Sequence, residues 1–174
     1  MRGGLHSQAL KDIPAQVRWI GSGLTSPLVP DDPFDLERFV SAQDAGGTYQ
    51  HALEELRRGR KESHWMWFVF PQLAGLGRSA MSARYAISSL EEAKAYLAHP
   101  VLGARLVECA KAAIAAPAGA SAEDVFGPVD ALKLRSSMTL FLRANPEEAA
   151  FAQVLRRWWE GIPDAATDNL LAGG

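Results

Sequence analysis

Cysteine is almost missing from this sequence: Cys109 is the only one in 174 residues. A lone thiol closes no intrachain disulfide, so the fold must stand without one. A chain of this size can do so, since a domain of about 150 residues buries roughly 70% of the surface its unfolded form exposes. Histidine is sparse as well. His6, His51, His64 and His99 are widely spread and match no metal-ligand spacing, so neither a metal nor a cofactor is expected. A large excess of either charge is missing too: 18 Lys and Arg stand against 20 Asp and Glu, a net charge of -2. That balance argues against nucleic acid or anionic membrane as a partner, since neither would be drawn by a global field. No apolar run approaches the ~18 residues of a membrane span. The start of the chain, with Gly3, Gly4, His6, Ser7 and Gln8, lacks the apolar stretch of a signal peptide. The cytoplasm is therefore the expected location. Strand signals are nearly absent, and only Trp67 to Phe70 has the composition of a short strand.

What is present is a succession of helix starts and stops. Residues 1–31, with Pro14, Pro27, Pro30, Gly21 and Gly23, read as a loosely ordered extension, and 32–174 as the folded domain. Within it, Asp35 and Thr48 are placed to cap helices, and Gly59 to stop one. Ser88 or Ser89, with Glu91 or Glu92, has the spacing of a capping box. His99-Pro100 separates two helices; Ser121 opens a short one that Gly127 closes. Leu134, Met138, Phe141 and Leu142 form the stripe of a long helix from Val129 to Arg143, and Asn145-Pro146 starts the next, which runs to Glu160 with Gly161 as its stop. The pattern predicts an all-α single compact domain of seven to nine short helices.

Several stretches are more distinctive than composition alone. Residues 59–79 include Lys61, the run His64-Trp65-Met66-Trp67-Phe68-Val69-Phe70-Pro71-Gln72, and Gly75-Leu76-Gly77-Arg78-Ser79. With Ala42-Gln43, Tyr85-Ala86-Ile87, Tyr96 to Gly103 and Asp130 to Phe141, they resemble the bacterial domain of unknown function 1810 family, some members of which carry a calpastatin label. The resemblance covers about residues 35–171. It implies an all-helical fold and no established activity, substrate or catalytic residue.

Three clusters carry the side chains for chemistry. Lys61 supplies a cation, His64 the best candidate for a general base, and Gln72 a donor and an acceptor, while Trp67 offers a flat face for stacking. In the second, Arg78 and Ser79 sit before a predicted helix, where backbone N–H groups can meet an anion. The third places Asp130, Lys133 and Ser137 on one helix face with Ser136 beside them. Mid-helix Ser136, Ser137 and Thr139 contribute little to helix propensity, so they either permit close packing or line a polar pocket. Together these residues predict a pocket for a small anionic ligand, a nucleotide or phosphorylated metabolite, with hydrolase or transferase chemistry if any. Lys61, Arg78 and Lys133 would neutralise charge there, and His64, Gln72, Ser79, Ser136 and Ser137 would orient the ligand. The alternative is a helical protein–protein interaction module without catalysis, suggested by Trp65-Met66-Trp67 and Trp158-Trp159 with arginines close by. The charged run Glu54 to Lys61 reads as a solvated helix face, and the oligomeric state is open.

Overall fold

A computed structural model of the chain describes residues 31–173. The expected N-terminal extension falls outside these, apart from Asp31. Among the described residues the elements are α1 (Glu37–Asp44), a 3-10 turn (Ala45–Gly47), α2 (Thr48–Arg58), α3 (Met66–Val69), α4 (Ala80–Arg84), α5 (Leu90–Ala98), α6 (Leu102–Ile114), α7 (Ala122–Phe126), α8 (Pro128–Ala144), α9 (Ala149–Trp159) and α10 (Ala165–Gly173). Seven of these helices have eight or more residues, and α3, α4 and α7 are little more than single turns. The architecture is all-α. Its one β pairing among the described residues is an isolated parallel bridge, Leu73 to Ile87. The strand suggested at Trp67 to Phe70 is instead the turn α3, ended by Pro71. No described helix is long and apolar enough to cross a membrane.

Helix α8 sets the plan. Six successive residues, Ser136 to Phe141, are buried, so this part of the helix is covered on every side. It packs against α5, α7, α9 and α10, while α6 packs on α2, α5 and α9. Aromatic rings bridge the layers. Phe39 meets Tyr96 edge-on at 5.1 Å, Tyr96 meets Phe141 at 5.3 Å, and Phe141 meets Phe151 at 5.9 Å. Cys109 is fully buried among them, and burial pushes its thiol pKa up to about 12. The free thiol thus behaves as a small core hydrophobe.

The caps partly follow the sequence signals. Gly59 ends α2 at φ 68°, and its lack of a side chain also lets Pro117 approach. Ser121 opens α7 as expected, through a capping box with Asp124, and Ser89 caps α5. Others moved. Asp32, not Asp35, accepts from the Glu37 amide, because Asp35 itself lies at φ 51°. Thr48 sits inside α2, with its hydroxyl on Ala45 O at 2.6 Å. His99 Nδ1 accepts from the amides of Val101 and Leu102 at 3.2 and 3.3 Å, so a histidine, not Pro100, opens α6. Helix α9 starts at Ala149, three residues after Pro146, with Glu148 as its cap.

The mid-helix hydroxyls of α8 divide by face. Thr139 Oγ1 donates to Arg135 O at 2.9 Å and accepts from the Asp164 amide at 2.8 Å. Ser136 Oγ lies 3.0 Å from Asp164 Oδ2, the same oxygen that accepts from the Thr167 amide and hydroxyl at 3.0 and 2.6 Å. This clasp fastens the start of α10 to α8. Replacing Thr139 with valine keeps the shape but orphans the Asp164 amide, which should cost about 1–2 kcal/mol. Urea melts would show this as a lower midpoint with an unchanged slope.

Candidate functional site

The site is built around the segment between α2 and α4. Its first half is held by Glu55, which the sequence places in a charged run but which is buried in the fold. The Glu55 carboxylate accepts from the Glu62 amide at 2.8 Å, the Ser63 amide at 3.1 Å, the Ser63 hydroxyl at 2.6 Å and Trp65 Nε1 at 2.8 Å. Burial alone would raise its pKa. The hydrogen bonds outweigh burial and bring it down to about 2. The solvated-face reading of this run is therefore corrected at Glu55. It is corrected at Lys61 as well, whose side chain is only 8% exposed. Four donors and a carboxylate neighbour respectively repay what burial costs each charge.

Lys61 turns inward to a charged cluster. Its Nζ donates to Ser63 O at 2.8 Å and lies 2.7 Å from Asp130 Oδ2, with the Trp65 ring centre 5.1 Å away. Lys133 approaches the other oxygen, Oδ1, at 2.9 Å, and stands over the Trp67 ring at 4.8 Å. Burial pushes the Asp130 pKa up, but the two ammonium groups prevail and the net direction is down. One carboxylate thus serves two lysines, and the cluster keeps an excess positive charge in a half-buried setting.

Beside this cluster lies a cleft of about 500 Å³, lined by Trp67, Gln72, Leu76, Gly77, Arg78, Ser79 and Ser82 on one side, Val129, Leu132, Lys133 and Ser136 on α8, and Asp164 and Ala166 at the start of α10. Its first wall is set by two devices. The Leu73–Ile87 bridge, with the Ala74 amide donating to Ile87 O at 2.8 Å and the Ile87 amide to Gln72 O at 2.9 Å, pins the loop. Gly77 then packs on Ser82, where a β-carbon would lie 2.3 Å from the serine Cβ. Ser79 caps α4 by accepting from the Ser82 amide at 3.0 Å.

The structure brings together most of the residues singled out in the sequence. Trp67, Gln72, Arg78, Ser79, Lys133 and Ser136 line the cleft, and Lys61 stands behind it through Asp130. Two do not line it. His64 is exposed and hydrogen-bonds to no described residue. Ser137 is fully buried, and its hydroxyl has no partner among the described residues. Lys133 is committed to Asp130 rather than to Ser137, so no serine–lysine pair forms. Arg78 is exposed at the rim and makes no ion pair among the described residues. Sequence reading missed Asp164, Ser82, Val129 and Leu132. Only Asp164 had a signal, since an aspartate three residues before Thr167 has the spacing of a helix N-cap. Among the described residues no group of three or more His, Cys, Asp or Glu could hold a metal ion.

Chemically, the cleft offers two cations, an amide, three hydroxyls and an indole face, against one carboxylate on its own wall. It shows no nucleophile held by a base. Its charge suits a ligand with negative oxygens, and its volume falls in the range of small-molecule sites, roughly 300–1,000 Å³.

Comparison with known proteins places the chain without assigning it a role. No curated protein matches it. The crystal structure of the conserved hypothetical protein Rv1873 from Mycobacterium tuberculosis is similar, with 55% sequence identity and a TM-score of 0.78, over 81% of this chain and 99% of that one. Residues 33–171 match the family described as protein of unknown function (DUF1810), and the chain belongs to that family.

Proposed function

We propose that the cleft between the Gln72–Ser82 segment and α8 binds a small anionic ligand, a nucleotide or another phosphorylated metabolite. The observation that carries this reading is the shared carboxylate: Asp130 is bonded by both Lys61 and Lys133, which leaves that cluster one positive charge in excess beside a cleft lined by Arg78 and by a single carboxylate, Asp164. In a half-buried setting that charge attracts an anion more strongly than a solvated lysine would. Gln72 and Ser79 supply hydrogen bonds and Trp67 an edge or face. His64 has no place in this account, and the reading assigns no reaction. A cytoplasmic setting belongs to the same proposal; a chain with one buried cysteine suits a reducing compartment.

The test is a thermal-shift screen of nucleotides and sugar phosphates against the wild type and the Arg78→Ala/Lys133→Ala double variant. A ligand at 100 times its dissociation constant stabilises by about 2.7 kcal/mol, or about 5–10 °C for a chain this size. The double variant should lose most of that shift. A screen with no shift in the wild type, or equal shifts in both proteins, would refute the proposal.

A second reading has one observation in its favour. Val129 and Leu132, on the rim of the same cleft, are 64% and 63% exposed, and Ile162, in the loop between α9 and α10, is 56% exposed. Those residues suit an interaction module without catalysis. The tryptophans do not: Trp65 is fully buried, and Trp158 donates to Ala120 O at 3.1 Å while packing edge-on to Phe126. Light scattering after size exclusion, on the wild type and on Leu132→Glu, tests its simplest form, self-association. A wild type that is monomeric at high concentration would remove that form.

A further inference from the structure

The anion cleft does not end at Gly77. A second hollow of about 210 Å³ adjoins it and shares Trp67, Gln72, Gly77 and Ser82 as common lining. The two hollows differ in chemistry. The larger one holds both cations, Arg78 and Lys133. The smaller one has no charged side chain in its lining; it is walled by Tyr85, Leu73, Ala74 and Ala83 with the indole of Trp67. Hydrogen-bonding edges stand where the hollows meet. The Gln72 side-chain amide and the backbone amide of Gly77 bond to no acceptor or donor among the described residues. The Gly77–Ser82 contact keeps this junction narrow, because a β-carbon at position 77 would overlap Ser82.

A charged compartment joined to an uncharged aromatic one, with a carboxamide between them, selects a ligand with the same two parts. We propose that the cleft takes a nucleoside monophosphate, with the phosphate in the larger hollow beside Lys133 and Arg78, and the base in the smaller hollow between Trp67 and Tyr85, read by Gln72. This rests on the anion reading above and narrows it. A planar ring with polar edges fits a site of aromatic walls and one carboxamide. A sugar phosphate without a base would fill only the larger hollow. The amide of Gln72, left without the partner a base provides, then adds nothing to affinity, which is how a polar site discriminates.

The test is isothermal titration of the full chain with AMP, UMP, ribose 5-phosphate and inorganic phosphate. At least one nucleotide should bind ten times or more tighter than ribose 5-phosphate. Ala83→Leu, which fills the smaller hollow from a position on its wall, should weaken nucleotide binding at least tenfold; a melt of the variant confirms that it folds. If ribose 5-phosphate binds within tenfold of both nucleotides, the two-part ligand is wrong and the anion site stands. If none of the four binds the folded wild type, the anion reading itself falls with it.

Discussion

Glu55→Ala should lower folding stability by about 3 kcal/mol or more. The side chain is buried and serves four donor groups, from Glu62, Ser63 and Trp65. Truncation leaves those donors facing a cavity, and each unsatisfied buried group costs about 1–3 kcal/mol unless water enters. The same change loosens the segment that carries Lys61 and Trp65, so ligand affinity should fall as well. Glu55→Gln keeps the shape and separates charge from contact. The wild-type carboxyl is lowered from its ordinary 4.5 to about 2 in the fold. Its contribution to stability is therefore fully present above the unfolded value and drains away as pH falls from about 4.5 toward about 2. Urea melts between pH 7 and pH 2, an interval that spans roughly the titration of all carboxylates, should show a shallower acid decline for Glu55→Gln than for the wild type. Parallel curves would mean that Glu55 is not held as an ion.

Gly103→Ala should be damaging in a position where helix propensity alone predicts the opposite. Gly103 lies in the first turn of α6 with ordinary helical geometry, where alanine is better than glycine by at most the helix-interior value of about 1 kcal/mol. Here a β-carbon would lie 2.0 Å from Leu97 O and 2.9 Å from its carbonyl carbon. Those are backbone atoms of α5, so no rotamer change relieves the overlap. Helices α5 and α6 would have to move apart, and overpacking of this kind costs about 1–3 kcal/mol or somewhat more. We expect a net loss of about 2 kcal/mol after the propensity gain, a fall of about 4–8 °C in Tm. A Tm equal to or above the wild type would show that the α5–α6 crossing yields to a methyl group.

How far the sequence speaks for the structure differs with the kind of signal. Local chemistry transferred well. Gly59 at φ 68° and the Ser121–Asp124 box behave as their residue types demand. Signals that compete with a neighbour did not. Asp35 has a capping side chain, but Asp32 takes the Glu37 amide; Pro146 suits a first turn, yet α9 begins at Ala149. Burial of charge was the least legible, because a run such as Glu54 to Lys61 looks the same whether or not another segment folds over it. Glu55 and Lys61 are enclosed by residues 62–65 and by Asp130. For the site, the sequence supplied the polar residues but not their meeting. Lys133 is far from Gln72 and Arg78 in the chain, and only the Leu73–Ile87 bridge and the packing around α8 bring the two segments to one cleft. The exposed rim residues Val129 and Leu132 had no signal, since other apolar residues of α8, such as Leu134 and Met138, are buried. His64 shows the converse: a residue with the right chemistry, in a distinctive motif, that lies outside the cleft.

The most direct test of the anion cleft is a map of where an anion touches the chain. Backbone amide spectra of the isotope-labelled protein, titrated with AMP and separately with inorganic phosphate, would provide it. The account predicts saturable shifts concentrated in Gln72 to Ser82, Val129 to Ser136 and Asp164 to Ala166, the segments that line the cleft. Saturable shifts centred elsewhere, such as around Arg157 and Ser121, or an unchanged spectrum at high ligand, would contradict it.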